Sequence, residues 1–144
     1  MFKRILVSTD RSELSQKAIH AAIDLARDSG AKLVAVTVVQ PYRFAGMAGY
    51  RNEAYDGHHS QVLGQAEQCL HGLREAAQAA QVDCEVVTKE TDTPWEGIVE
   101  TAEERGCDLI VMATRPRTGL QALIGRSQTQ EVIKHSPLPV LVYR

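Results

Sequence analysis

Short, nearly continuous apolar blocks alternate along this chain with longer stretches of helical periodicity. Lys3–Thr9 gathers Ile5, Leu6 and Val7 into one run, which predicts a strand covered on both faces. Asp10-Arg11-Ser12 breaks that run, and Ser12 is the expected N-cap, with Glu13 adding negative charge in the first turn. Leu14, Ala18, Ala21, Ala22, Leu25 and Ala26 then follow at helical spacing until Gly30. Lys32–Val39 predicts a second strand. From about Ser60, the positions Val62, Ala66, Cys69, Leu70, Leu73, Ala76, Ala77 and Ala80 predict a long amphipathic helix.

The second half repeats the alternation. Val82, Cys84 and Val86 alternate with charged or smaller residues, the pattern of a half-covered, edge-like strand. Thr93-Pro94 signals a helix start, with Pro94 at the first helical position, and Trp95, Ile98, Val99 and Ala102 supply its buried face before Gly106 stops it. Asp108–Met112 is a fourth strand. Leu123, Ile124, Val132 and Ile133 outline a last helix ending near His135. Ser136-Pro137-Leu138-Pro139 breaks it, and Val140-Leu141-Val142-Tyr143 forms the final strand. Strands alternating with helices imply an α/β domain over residues 1–144 with a mostly parallel sheet.

Gln40 to about Ser60 is the least regular stretch, with Pro41, Gly46, Gly49 and Gly57 interleaved with Tyr42, Phe44, Tyr50 and Tyr55. Rings anchoring a surface loop are the favoured reading, ahead of a flap or an oligomer contact.

Composition narrows the function classes. The chain has 144 residues, 44% apolar and 24% charged, with net charge −2 and a pI of about 6.2. No basic excess points to nucleic acid or to an anionic membrane. The opening Met1-Phe2-Lys3-Arg4-Ile5 runs directly into a strand. No signal peptide or membrane span is expected, and the expected location is the cytoplasm. Cys69, Cys84 and Cys107 are far apart and form no C-x-x-C pair, so buried free thiols are expected. None of the histidines forms H-x-x-x-H, and no metal site is expected.

Candidate chemistry concentrates after the first and fourth strands, because ligands in open α/β sheets sit at the strands' carboxyl ends. Asp10 could accept a hydrogen bond from a ribose hydroxyl or a base amine, although on local sequence alone a simple turn residue is the stronger reading. Arg115, Arg117 and Arg126 bracket the passage after the fourth strand, with Arg11 after the first. Guanidinium groups suit phosphate or carboxylate, and solvated surface charge is the equal alternative. Gly119 to Ser127 partly matches a phosphate loop but has one residue too many between its glycines and Arg126 in place of lysine. Gly125-Arg126-Ser127-Gln128-Thr129 half-matches a nucleophile elbow without its second glycine, so no catalytic residue is assigned.

Taken together, Arg4–Glu13 (R-I-L-V-S-T-D-R-S-E), Ala35–Pro41 (A-V-T-V-V-Q-P), Asp108–Leu120 (D-L-I-V-M-A-T-R-P-R-T-G-L) and Val132–Val142 (V-I-K-H-S-P-L-P-V-L-V) make the chain resemble the universal stress protein family over its whole length. The resemblance implies a doubly wound, Rossmann-like domain whose five-stranded parallel sheet has the order 3-2-1-4-5, with helices on both faces. It also implies a homodimer, often formed through the last strand, which here is Val140, Leu141, Val142 and Tyr143. Many members of that family bind ATP through G-x-x-G-x9-G-[ST]. Here Ala113, Pro116 and Arg126 stand at the glycine positions, Gly125 falls one residue early, and only Ser127 agrees. Pro116 lacks a backbone N–H, and Arg126 puts a long side chain where phosphate would need space. By the same alignment Asp10 takes the place of the family's nucleotide-contacting aspartate, with Thr9 beside it as a further nucleotide-binding candidate, and Val38 takes that of the residue whose backbone meets the adenine.

The resemblance therefore implies an adenosine half that survives and a phosphate half that is lost or rebuilt. The leading expectation is a non-enzymatic stress-response dimer that binds ATP weakly or not at all, needs no certain cofactor, and works through protein partners. The alternative is an ATP- or AMP-binding switch that holds phosphates with arginine side chains. A slow ATPase, or a hydrolase using Ser127, ranks last.

Overall fold

A computed structural model describes residues 1–41, 53–114 and 127–144, with side chains from 57 onward in the middle segment. The element order is β1 (Arg4–Ser8), α1 (Glu13–Ser29), β2 (Lys32–Val39), α2 (Glu53–Ala79), β3 (Cys84–Glu90), α3 (Pro94–Glu104), β4 (Leu109–Ala113), α4 (Gln128–His135) and β5 (Val140–Tyr143). The five strands form one parallel sheet in the order β3-β2-β1-β4-β5, as the family resemblance implied.

The continuous apolar blocks are explained by burial on both faces. Side chains alternate across a strand. Ile5 and Val7 therefore join Leu33, Ala35, Leu109 and Val111 on the face covered by α1 and α2. Leu6 joins Val34, Val36, Ile110 and Met112 on the face covered by α3 and α4. Each such aliphatic side chain contributes roughly 1.5–3 kcal/mol when taken fully out of water.

Several element details differ from expectation. In α1 the buried stripe runs through Ser15, Ala18, Ile19, Ala22, Ile23 and Ala26, while Leu14, Ala21 and Leu25 are only half-buried. Ser15 can be buried because its hydroxyl donates to the Ser12 carbonyl at 2.8 Å and lies 3.1 Å from Thr9 Oγ1. Ser12 is the N-cap as expected, its Oγ accepting the Ser15 N–H at 3.2 Å, and Gly30 closes the helix at φ 68°. The α2 helix begins at Glu53, not near Ser60, and absorbs Gly57. An isolated helical glycine costs only about 1 kcal/mol against alanine, so it does not end a helix already propagating. The side chain of Tyr55, and Tyr42, Phe44, Gly46, Gly49 and Tyr50 altogether, lie outside the described residues. In α4 the buried positions are Thr129, Glu131 and Val132, whereas Ile133 is 52% exposed, and Leu123 and Ile124 lie outside the described residues.

The cysteines are free thiols, but only Cys107 is fully buried; Cys69 and Cys84 are intermediate. Desolvation pushes both the Cys84 and Cys107 thiols up to about 11, which keeps them protonated and unreactive near neutrality. At the amino ends of the strands Asp108 ties β1 to β4: its carboxylate accepts the N–H groups of Lys3 at 2.8 Å and Arg4 at 3.1 Å. Among the described residues no helix is long and apolar enough to cross a membrane.

Candidate ligand-binding site

The carboxyl ends of β1, β2 and β4 meet the amino ends of α1, α3 and α4 around a cavity of about 500 Å³. The sheet order reverses at β1, so the connections after β1 and β4 leave on opposite faces and open a crevice between them. β1 and its loop contribute Ser8, Thr9 and Asp10, and β2 contributes Val38. The end of β4 contributes Met112, Ala113 and Thr114. The helix starts supply Ser12, Leu14 and Ser15 from α1, Pro94 and Ile98 from α3, and Ser127, Gln128 and Thr129 from α4 and its cap.

The β1–α1 loop is held from below by hydroxyl groups. Thr9 donates its N–H to the Val36 carbonyl at 3.0 Å, and the fully buried Thr37 donates its hydroxyl to the Thr9 carbonyl at 3.0 Å. Thr9 Oγ1 accepts the Arg11 N–H at 3.1 Å, and Asp10 Oδ1 accepts the Ser12 N–H at 2.9 Å. Arg11 itself sits at φ 69°, in the left-handed region that non-glycine residues rarely occupy. Side-chain bonds on both sides of it hold that turn closed. The exposed Asp10 is thereby fixed at the cavity mouth.

α3 and α4 are locked to each other beside the cavity. Thr93, the N-cap of α3, makes no side-chain cap bond. Gln128 Oε1 instead accepts the Trp95 N–H at 2.9 Å, meeting one of the unpaired donors of the first turn. The Trp95 and His135 rings stack with centroids 4.4 Å apart and planes 20° apart. Thr129 Oγ1 donates to the Ala113 carbonyl at 3.3 Å, which ties α4 to the end of β4. Glu131 is 3% exposed and meets Lys134 at 3.3 Å and His135 at 3.4 Å on its own helix. Ser127, the N-cap of α4, makes no side-chain cap bond, while its carbonyl accepts the Glu131 N–H at 3.1 Å.

Of the residues singled out from sequence, Thr9, Asp10, Val38, Ala113 and Ser127 share this one cavity. Arg115, Arg117, Gly125 and Arg126 lie outside the described residues, as does Pro116. Arg11 does not line the cavity; its guanidinium donates to Gln65 Oε1 on α2 at 3.2 Å. Sequence reasoning missed the α3 wall, Pro94 and Ile98, and the hydroxyls of Ser15 and Thr129. The Thr93-Pro94 helix start was a usable signal, because helix starts gather at the strands' carboxyl ends. Among the described lining residues Asp10 carries the only charged side chain. No group of three or more His, Cys, Asp or Glu among the described residues could hold a metal.

Fold and cavity define an open-sheet α/β protein with a crevice at its switch point. The model of the Universal stress protein family matches residues 1–144, and the chain belongs to that family. Universal stress protein MJ0531 of Methanocaldococcus jannaschii is 30% identical over 144 residues, spanning 100% of this chain and 83% of that protein. A crystal structure of a universal stress protein in complex with cAMP is 25% identical, with TM-score 0.75, covering 99% of this chain and 97% of that chain. The structure of protein MJ0577 superposes with TM-score 0.81 at 23% identity, covering 99% of this chain and 96% of that one, a likeness of fold.

Proposed function

We propose that this chain is a non-enzymatic cytoplasmic stress-response protein, acting as a dimer through protein contacts, whose cavity takes an adenine mononucleotide in preference to ATP. The observation that carries this reading is the character of the cavity wall. Val38, Pro94, Ile98 and Met112 offer an apolar slot for a base, and the remaining described lining is mostly hydroxyl, with Asp10 as its only charge. Hydroxyls and a carboxylate suit a ribose and a base edge, whereas a triphosphate needs concentrated positive charge or converging N–H groups. The family relative in complex with cAMP supports a mononucleotide ligand. Ala113, Pro116 and Arg126 at the glycine positions argue against the backbone cradle. Calorimetric titration with AMP, cAMP and ATP tests it: AMP or cAMP should bind at least as tightly as ATP, and firm sub-millimolar binding of ATP alone would overturn it.

The second reading, phosphates held by Arg115, Arg117 and Arg126, is favoured by the clustering of those residues after β4. It expects Arg126→Ala to weaken ATP binding. Unchanged or improved affinity makes the arginine an obstruction, and Ala113→Gly, Pro116→Gly and Arg126→Gly together should then strengthen binding of ATP.

The dimer contact is proposed at β5. Among the described residues both outer strands leave an unpaired edge, but β3 carries Glu85, Lys89 and Glu90, which discourage pairing, while β5 reads Val140-Leu141-Val142-Tyr143 with no charge. Leu141 is 40% exposed there. Sedimentation equilibrium should find a dimer that Leu141→Lys converts to monomer; a wild-type monomer at high concentration would exclude it.

A further inference from the structure

We propose that Gly97, which is not a lining residue, sets the width of the base slot and so makes the cavity selective for a large planar base. The inference rests on the nucleotide reading of the cavity. Gly97 is buried in the first turns of α3, between Pro94 and Ile98, both of which line the cavity, as does Val38 beneath the helix. A Cβ built on Gly97 would lie 2.8 Å from Thr91 Cγ2, 3.2 Å from Lys89 Cγ and 3.4 Å from Val38 Cγ2. The hydrogen at this position therefore lets α3 lie directly on the ends of β2 and β3.

The neighbours cannot easily give way. Thr91 is fixed through its N–H to the Val39 carbonyl at 3.0 Å, and its Oγ1 accepts the Thr93 N–H at 3.2 Å, just before the helix starts. Swinging Cγ2 aside would pull Oγ1 off that N–H. Lys89 is held at its far end by Glu100 and Glu104 of α3, each at 3.3 Å. A methyl group at residue 97 is therefore accommodated by lifting the first turns of α3, which moves Pro94 and Ile98 away from Val38. A gap of roughly 0.5–1 Å already forfeits a quarter to a half of a dispersion contact. A purine spanning the slot loses more than a pyrimidine, which fills less of it. By contrast, Gly72 on α2 has nothing within 4 Å of a built Cβ, so alanine there is a control for helix propensity alone.

The test is titration of the wild-type chain, Gly97→Ala, Gly97→Ala/Thr91→Ser and Gly72→Ala with AMP and CMP, with thermal unfolding of each. Gly97→Ala should weaken AMP binding about tenfold, the scale of one misfitted methylene, and lower the AMP:CMP preference. Thr91→Ser removes the clashing methyl and keeps Oγ1, so it should restore the preference. Val38→Ala widens the slot from its other wall without touching α3 and should lower the same ratio even if Gly97→Ala does not fold. An unchanged AMP:CMP ratio in folded Gly97→Ala, or in Val38→Ala, overturns the inference while the wild-type titration still stands. A wild-type chain that binds neither nucleotide overturns the reading of the cavity itself.

Discussion

At the amino ends of the strands Asp108 clamps β1 to β4 through two backbone N–H groups, and Arg4 reaches the Arg105 carbonyl at 2.5 Å. At the carboxyl ends the hydroxyls of Ser15 and Thr37 hold the β1–α1 loop at Thr9, beside a cavity of about 500 Å³. Both ends are made from the same strands, and the helix starts make the difference. At the amino ends the helices terminate, and the chain can turn tightly back into the sheet. At the carboxyl ends α1 begins on one face of the sheet, and α3 and α4 begin together on the other. One end is thus built to close the structure, and the other holds a shape open. Substitutions at the two ends should separate stability from binding.

The largest effect is expected at the closed end. Asp108→Ala leaves the Lys3 and Arg4 N–H groups without their acceptor and should cost about 2 kcal/mol in denaturant unfolding, with nucleotide affinity unchanged in the folded protein. A change in affinity as large as the change in stability would erase the distinction between the ends. Partial desolvation works against the ionised Asp108, but the N–H groups of Lys3, Arg4 and Asp108 itself, with the Lys3 charge, outweigh it and hold its carboxyl below the ordinary 3.8. Its folded value lies below its unfolded one. The stabilisation is therefore complete above the unfolded value and is lost as pH falls through the folded one. Asp108→Asn should flatten the acid limb of the stability curve below about pH 4.

The next effect lies beneath the open end. Thr37→Val removes the donor to the Thr9 carbonyl and should cost about 1 kcal/mol globally. Its sharper consequence is local: hydrogen exchange at the Thr9, Arg11 and Ser15 amides should accelerate, and AMP affinity should fall. Equal acceleration throughout β1 would show that the loop is not a separate unit.

A pair of N-caps gives the finest contrast. Ser12 Oγ accepts the Ser15 N–H, so Ser12→Ala should destabilise by about 1 kcal/mol. Ser127 makes no such bond, and Ser127→Ala should change stability by less than about 0.5 kcal/mol. It should weaken AMP more than adenosine if that hydroxyl serves a phosphate. Equal losses for both ligands would remove Ser127 from that role.

β1, β2 and β4 are readable in sequence because burial on both faces writes itself as nearly uninterrupted apolar residues, and β3 because its half-covered face writes itself as alternation. The order of the sheet came with the family resemblance, since apolar blocks do not say which strands are neighbours. Helix faces were read less well. Ile19 and Ile23 were missed in favour of Leu14 and Leu25, because a stripe broken by the buried Ser15 hides its true centre. Thr9, Asp10, Val38, Ala113 and Ser127 are site candidates through the family resemblance, and they line one cavity; Arg115, Arg117, Gly125 and Arg126 lie outside the described residues. The α3 wall and the Thr37 support depend on contacts between residues far apart in the chain, which no local pattern records. Asp108 read only as the start of a strand, although its carboxylate closes the opposite end of the sheet.

The stacked Trp95 and His135 rings have an optical consequence. Trp95 is the chain's single tryptophan, so all of its indole emission comes from the junction of α3 and α4. Pro94 and Gln128, the immediate neighbours of that junction, face the cavity. The protein therefore carries an intrinsic fluorophore whose intensity reports how far those two helices separate, and a ligand that parts or tightens them can be followed without a label.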